Sequence, residues 1–138
     1  MASRLNPYIS FDGNAREAIE AYKDVFGGEL TVSTFGDMGG AAPGTEDKVM
    51  HSQLETPAGF TLMASDMPPG MPHQPGNTIA VSLSGDDEAE LRGYWDKLAG
   101  GGQVVMALEQ QVWGDVFGMV VDRFGVSWMV NIAQPQQG

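Results

Sequence analysis

Residues 112–131 read VWGDVFGMVVDRFGVSWMVN, with three glycines, two tryptophans and only three charged side chains. This spells two short strands, Val116–Val121 and Val126–Ile132, around one turn. An earlier stretch, VMHSQLETPAGFTLMAS (49–65), has the same form. Its strands are Val49–Glu55 and Phe60–Ser65, and its turn is Thr56-Pro57-Ala58-Gly59. Gly59-Phe60-Thr61-Leu62-Met63 aligns with Gly125-Val126-Ser127-Trp128-Met129 at an offset of 125 − 59 = 66.

The same elements precede each hairpin. Leu5–Phe11 reads as a strand and Asp12-Gly13-Asn14 as a turn. Asn14 is placed to cap a helix, with Glu17 completing a capping box. Ala15, Ala18, Ile19, Tyr22, Val25 and Phe26 then fall on one helical face, and Gly27-Gly28 stops the helix. Glu29–Phe35 follows as a strand. After the long loop 36–48, the hairpin and the proline-rich linker DMPPGMPHQPG (66–76), the order returns. Thr78–Ser84 is a strand and Gly85-Asp86-Asp87 a turn and cap. Leu91, Tyr94, Trp95 and Leu98 form a helical stripe, Gly100-Gly101-Gly102 a stop, and Gln103–Ala107 a strand. Gly27-Gly28 meets Gly101-Gly102 at 101 − 27 = 74. A βαβββ unit therefore occurs twice, with module one at about 3–66 and module two at about 77–132. The expected fold is α+β, one domain over 1–138, with curved mixed sheets. Helices would cover one face of each sheet, leaving the other to curve around a concavity suited to a ligand.

Composition narrows the function. Against 7 Lys+Arg stand 18 Asp+Glu, a net charge of −11, which repels phosphate backbones and anionic membrane surfaces. No nucleic acid and no membrane is expected as a partner. The absence of cysteine excludes disulfides, thiolate metal sites and a cysteine nucleophile. No apolar leader segment opens the sequence, so the expected location is cytoplasmic.

The stretches PYISFDGNAREAIEAYKDVFGGEL (7–30), KVMHSQL (48–54), LMASDMP (62–68), GNTIAVSL (76–83) and WGDVFGMVVDRFGVSWMVN (113–131) cover nearly the whole chain. They resemble the vicinal oxygen chelate superfamily of glyoxalase I, bleomycin-resistance proteins and extradiol dioxygenases, and within it the PhnB-like branch. The resemblance implies a homodimer with cavities built from both modules. Branch members sometimes carry a ubiquinone-methyltransferase label. Here Gly100-Gly101-Gly102 lies between a helix and a strand, so it reads as a helix stop and not as a nucleotide-binding fingerprint.

The superfamily's metal enzymes take one His, Glu or Gln from the first and last strand of each module. The matching positions here are Asn6, Met63 or its neighbour Ala64, Asn77-Thr78, and Met129. None is a strong ligand for a hard divalent ion. No metal and no cofactor is expected. Strand alternation sets Thr61, Met63 and Ser65 on one face, as it does Ser127, Met129 and Asn131. His51, on the strand MHSQLE, shares a face with Gln53 and Glu55, where a polar ligand or a proton-transfer pair could be held. Trp113 sits in a loop at a strand mouth, where tryptophans often edge pockets. The cavity candidates are therefore His51, Met63, Trp113, Met129, Asn6 and Asn77. The expected function is binding of a small organic molecule in a metal-free cavity. The alternative is a lyase, isomerase or dioxygenase-type enzyme of the same superfamily with an atypical or absent metal site.

Overall fold

The computed structural model describes residues 3, 5–37, 39, 44–68, 71–73, 76 and 78–134. The chain divides into two compact units, Met1–Gln74 and Pro75–Gly138. Unit one contains β1 (Tyr8–Phe11), α1 (Ala15–Phe26), β2 (Glu29–Thr34), β3 (Val49–Glu55) and β4 (Thr61–Asp66). Unit two contains β5 (Val81–Gly85), α2 (Glu88–Ala99), β6 (Gln103–Gln110), β7 (Val116–Val121) and β8 (Ser127–Ile132). Each unit forms a four-stranded mixed sheet, in the order β1-β4-β3-β2 and β5-β8-β7-β6. In each, the first strand runs parallel to the last and the other pairs are antiparallel. This is the α+β architecture expected from the repeat.

The correspondence holds residue by residue. Tyr8 pairs with Met63 in unit one, and Ser82 with Met129 in unit two. The differences, 82 − 8 = 74 and 129 − 63 = 66, are the two offsets read from the sequence. The hairpin turns repeat as well. Thr56 Oγ1 accepts from the Phe60 amide at 3.0 Å, and Asp122 Oδ1 from the Val126 amide at 3.0 Å. Gly59 and Gly125 take φ of 90° and 88°. Gly28 and Gly102 mark the tightest approaches. A Cβ there would lie 2.0 Å from the Glu55 carbonyl oxygen and 2.4 Å from that of Val121.

Each helix lies on one face of its own sheet. From α1, Ala15, Ala18, Ile19, Tyr22 and Phe26 are buried against β2, β3 and β4. Val25, expected in that stripe, is only half-buried. From α2, Leu91, Tyr94, Trp95 and Leu98 are buried against β5, β7 and β8. Opposite them lie Leu54, Leu62 and Ala64 in unit one, and Val120, Trp128 and Val130 in unit two, all at most 4% exposed. Each large apolar side chain so buried contributes about 1.5–3 kcal/mol. Burial of Tyr94, and then its hydrogen bond to Glu90, push its hydroxyl up to about 12.

Several local expectations are corrected. Asn14 makes no side-chain cap. Instead the buried carboxylate of Asp66, at the end of β4, accepts from the Ala15 amide through Oδ1 and from the Val49 amide through Oδ2, each at 2.9 Å. A long-range partner thus replaces the local capping box. In α2 the local signal holds, since Asp87 accepts from the Glu90 amide at 3.1 Å. β1 begins at Tyr8, because Pro7 has no N–H for the ladder, although its carbonyl accepts from the Met63 amide at 3.1 Å. β5 begins at Val81 and not at Thr78. β6 runs on to Gln110 through two register shifts. Among the described residues, no helix is long and apolar enough to cross a membrane.

Candidate functional site

The face of each sheet turned away from its helix carries three of the six candidates, His51 and Met63 in unit one and Met129 in unit two. In unit one the cross-strand row is Tyr8, Met63, Gln53 and Thr31, on β1, β4, β3 and β2. His51 lies opposite Ser33 on the same face as Gln53 and Glu55. The Gln53 side-chain amide donates to the Glu55 carboxylate, as two residues of one strand face can. Met63 is half-buried, while Leu62 and Ala64 beside it are buried under the helix.

Tyr8, which the sequence reading did not single out, completes this group. Its side chain crosses β4 to reach β3, where its hydroxyl lies 3.3 Å from His51 Nδ1. The two ring centroids are 5.7 Å apart, with planes at 33°. Tyr8 stays 50% exposed, so one side of this ring pair faces open space. Ser10 and Ser65, paired across β1 and β4, are small neighbours on the same face.

In unit two the equivalent row is Ser82, Met129, Met119 and Met106, which places three thioethers side by side. The next row is Ser84, Asn131, Phe117 and Glu109. Asn131 donates to Asp115 Oδ2 at 3.1 Å, and Asp115 Oδ1 accepts from the Gln134 amide at 3.1 Å. Trp113 occupies the turn between β6 and β7, where it is 59% exposed and meets the Phe117 ring edge-on at 5.9 Å. The offset of 66 makes Phe117 the counterpart of His51 and Met119 that of Gln53. Unit two therefore offers an apolar version of the face that unit one makes polar.

Of the six candidates, His51 and Met63 share the open face of unit one. Met129 sits at the centre of the open row of unit two, with Trp113 at its β6–β7 end. Asn6 is half-buried just before β1, and Asn77 lies outside the described residues. Met106, Met119 and Phe117 were missed along with Tyr8. Their signal was available in the strand alternation, once the register of β6, β7 and β8 is known.

Among the described residues, no three His, Asp or Glu side chains gather in a group able to hold a metal ion. His73 of the linker has its Nε2 3.0 Å from the Ser10 carbonyl oxygen.

Two βαβββ units with one helix per mixed sheet define a protein of the glyoxalase and bleomycin-resistance fold. A glyoxylase/bleomycin resistance protein/dioxygenase domain from Frankia sp. EAN1pec superposes with a TM-score of 0.66 over 97% of this chain and 99% of its own, at 12% identity. Within that fold, the chain belongs to the PhnB-like family described as 3-demethylubiquinone-9 3-methyltransferase, which matches residues 3–131. It is similar to protein PA1353 from Pseudomonas aeruginosa, with 40% identity and a TM-score of 0.88 over 97% of this chain and 100% of that one. It is also similar to a PhnB protein from Bacillus cereus, with 25% identity and a TM-score of 0.77 over 95% and 100%.

Proposed function

We propose that this chain binds a small organic molecule in a metal-free cavity lined by uncovered sheet face, with Met63 as the central contact on the face of unit one and Met129 on that of unit two. The carrying observation is their equivalence. Both hold the same register position, both are half-buried, and neither lies beneath a helix. Thioethers are soft and adaptable and suit a shaped organic surface better than a hard cation. His51, Trp113, Asn6 and Asn77 are the further candidates.

The test is native mass spectrometry of the purified protein together with metal analysis. A retained organic compound without stoichiometric zinc, nickel, iron or manganese is the expected result. A stoichiometric metal, bound as tightly in the His51→Ala variant as in the parent, would refute the reading.

The second reading is a lyase, isomerase or dioxygenase-type enzyme with an atypical or absent metal site. The Tyr8–His51 hydrogen bond favours it, because such a pair can pass a proton. Turnover that disappears in both Tyr8→Phe and His51→Gln would select it.

We also propose a homodimer. β6 is an edge strand with Val104, Val105 and Met106 exposed, and open apolar edges favour pairing. The expected interface buries roughly 1,200 Å² or more in total. Light scattering that returns a monomer at every micromolar concentration would sink this.

A further inference from the structure

We infer that the open face of the unit-one sheet receives a flat aromatic ring, uncharged or cationic, whose edge carries a hydroxyl-type group that both donates and accepts a hydrogen bond. This rests on the small-molecule reading and adds the ligand's class.

The ring follows from the Tyr8–His51 pair. Two rings tilted by 33°, one of them 50% exposed, make a platform on which a third can stack or meet edge-on. Met63, directly across from Tyr8, adds a thioether, which also favours aromatic contact. Ser10, Ser65 and Ser33 beside the platform are too short to occupy the space above it.

The polar edge follows from proton counting. A neutral imidazole carries one N–H. If the Tyr8 hydroxyl donates to His51 Nδ1, then Nε2–H is the outward donor and the tyrosine oxygen the outward acceptor. If Nδ1–H donates to the tyrosine oxygen, the hydroxyl becomes the donor and Nε2 the acceptor. Either way the pair presents one donor and one acceptor. No other hydrogen bond to His51 is present among the described residues, so Nε2 is available. A phenol-type oxygen matches both arrangements.

Charge selects against anions. The strands of this sheet contain no lysine or arginine, and Glu29 pairs with Glu55 across β2 and β3. No lysine or arginine on these strands would neutralise a carboxylate or a phosphate.

The test uses the full chain labelled with methyl-13C methionine and three probes. These are 2-naphthol, its saturated analogue decahydro-2-naphthol, and the anion 2-naphthalenesulfonate. Ring-current shifts of the Met63 methyl, assigned from Met63→Leu, are expected to saturate with 2-naphthol. The other two probes should bind at least roughly tenfold more weakly, about the loss expected from one stacked aromatic contact or one uncompensated charge. Tyr8→Ala, truncating a half-exposed side chain, should weaken 2-naphthol by roughly tenfold. His51→Phe should weaken 2-naphthol, which uses both the donor and the acceptor, more than the acceptor-only 2-methoxynaphthalene, which uses only the donor. Equal binding of the saturated alcohol, or no saturation by 2-naphthol at millimolar concentration, would overturn the inference. Shifts confined to Met106, Met119 and Met129 would overturn it too, yet leave the small-molecule reading standing. That reading falls separately, on the native mass spectrum.

Discussion

Replacing Asp66 by alanine removes one side chain and strands two amides. Asp66 is 3% exposed, and its two partners, the amides of Ala15 and Val49, belong to residues that are 0% exposed. Water cannot easily substitute at either position. A buried N–H left unpaired costs ~1–3 kcal/mol, and one of these two also begins α1. Relief from desolvating the carboxylate offsets part of this, leaving a net loss of about 3 kcal/mol. At a urea dependence of ~1–3 kcal/mol per molar, the denaturation midpoint should fall by roughly 1–3 M. Asp66→Asn keeps one acceptor and should fall between parent and alanine variant. Amide exchange at Ala15 and Val49 should accelerate in the alanine variant. A midpoint within ~0.3 M of the parent would refute the reasoning, since it would mean that water or Asn14 takes over both amides.

Three further outcomes are expected. Met129→Glu should cost only ~1–2 kcal/mol, because the new carboxylate can stay hydrated on the open face, whereas Val130→Glu, buried under α2, should lose several kcal/mol or fail to fold; equal losses in denaturant titrations would show the two faces to be misassigned. Folded Tyr94 keeps its proton to about pH 12 and the unfolded chain releases it near 10, so its contribution to stability is intact below pH 10 and lost between 10 and 12; Tyr94→Phe should remove that loss, read from chemical denaturation across the window. Gly28→Ala drives a Cβ to 2.0 Å from a carbonyl oxygen at φ 108°, while Gly59→Ala meets nothing within 4 Å and bears only backbone strain of ~1–2 kcal/mol; a Gly28→Ala variant as stable as Gly59→Ala, by melting temperature, would contradict the close approach.

The architecture was legible because its signals are local. Helical periodicity from Ala15 to Phe26, paired glycine stops and hairpin turns each depend on residues a few positions apart. Two equal sets of them gave the offsets of 74 and 66, and the register bears these out. What stayed hidden depends on strand order. Tyr8 meets His51 across 43 positions only because β1 inserts beside β4 and not beside β2. Asp66 displaced Asn14 for the same reason. The three-methionine row of unit two needed the register of β6, which carries two shifts that no alternation pattern predicts. His51, Gln53 and Glu55 could be placed on one face from alternation alone, and they are.

The different helix starts of the two units carry a consequence for folding kinetics. The α2 cap is three residues away, at Asp87, and is available as soon as the first turn forms. The first amide of α1 waits for a carboxylate 51 positions downstream, on the last strand of its unit. Loop closure must precede that bond, and non-local closure is what slows folding. The first turn of α2 should therefore gain amide protection early in pulse-labelling experiments. The first turn of α1 should gain it together with β4, and simultaneous protection of both helices would rule out this order.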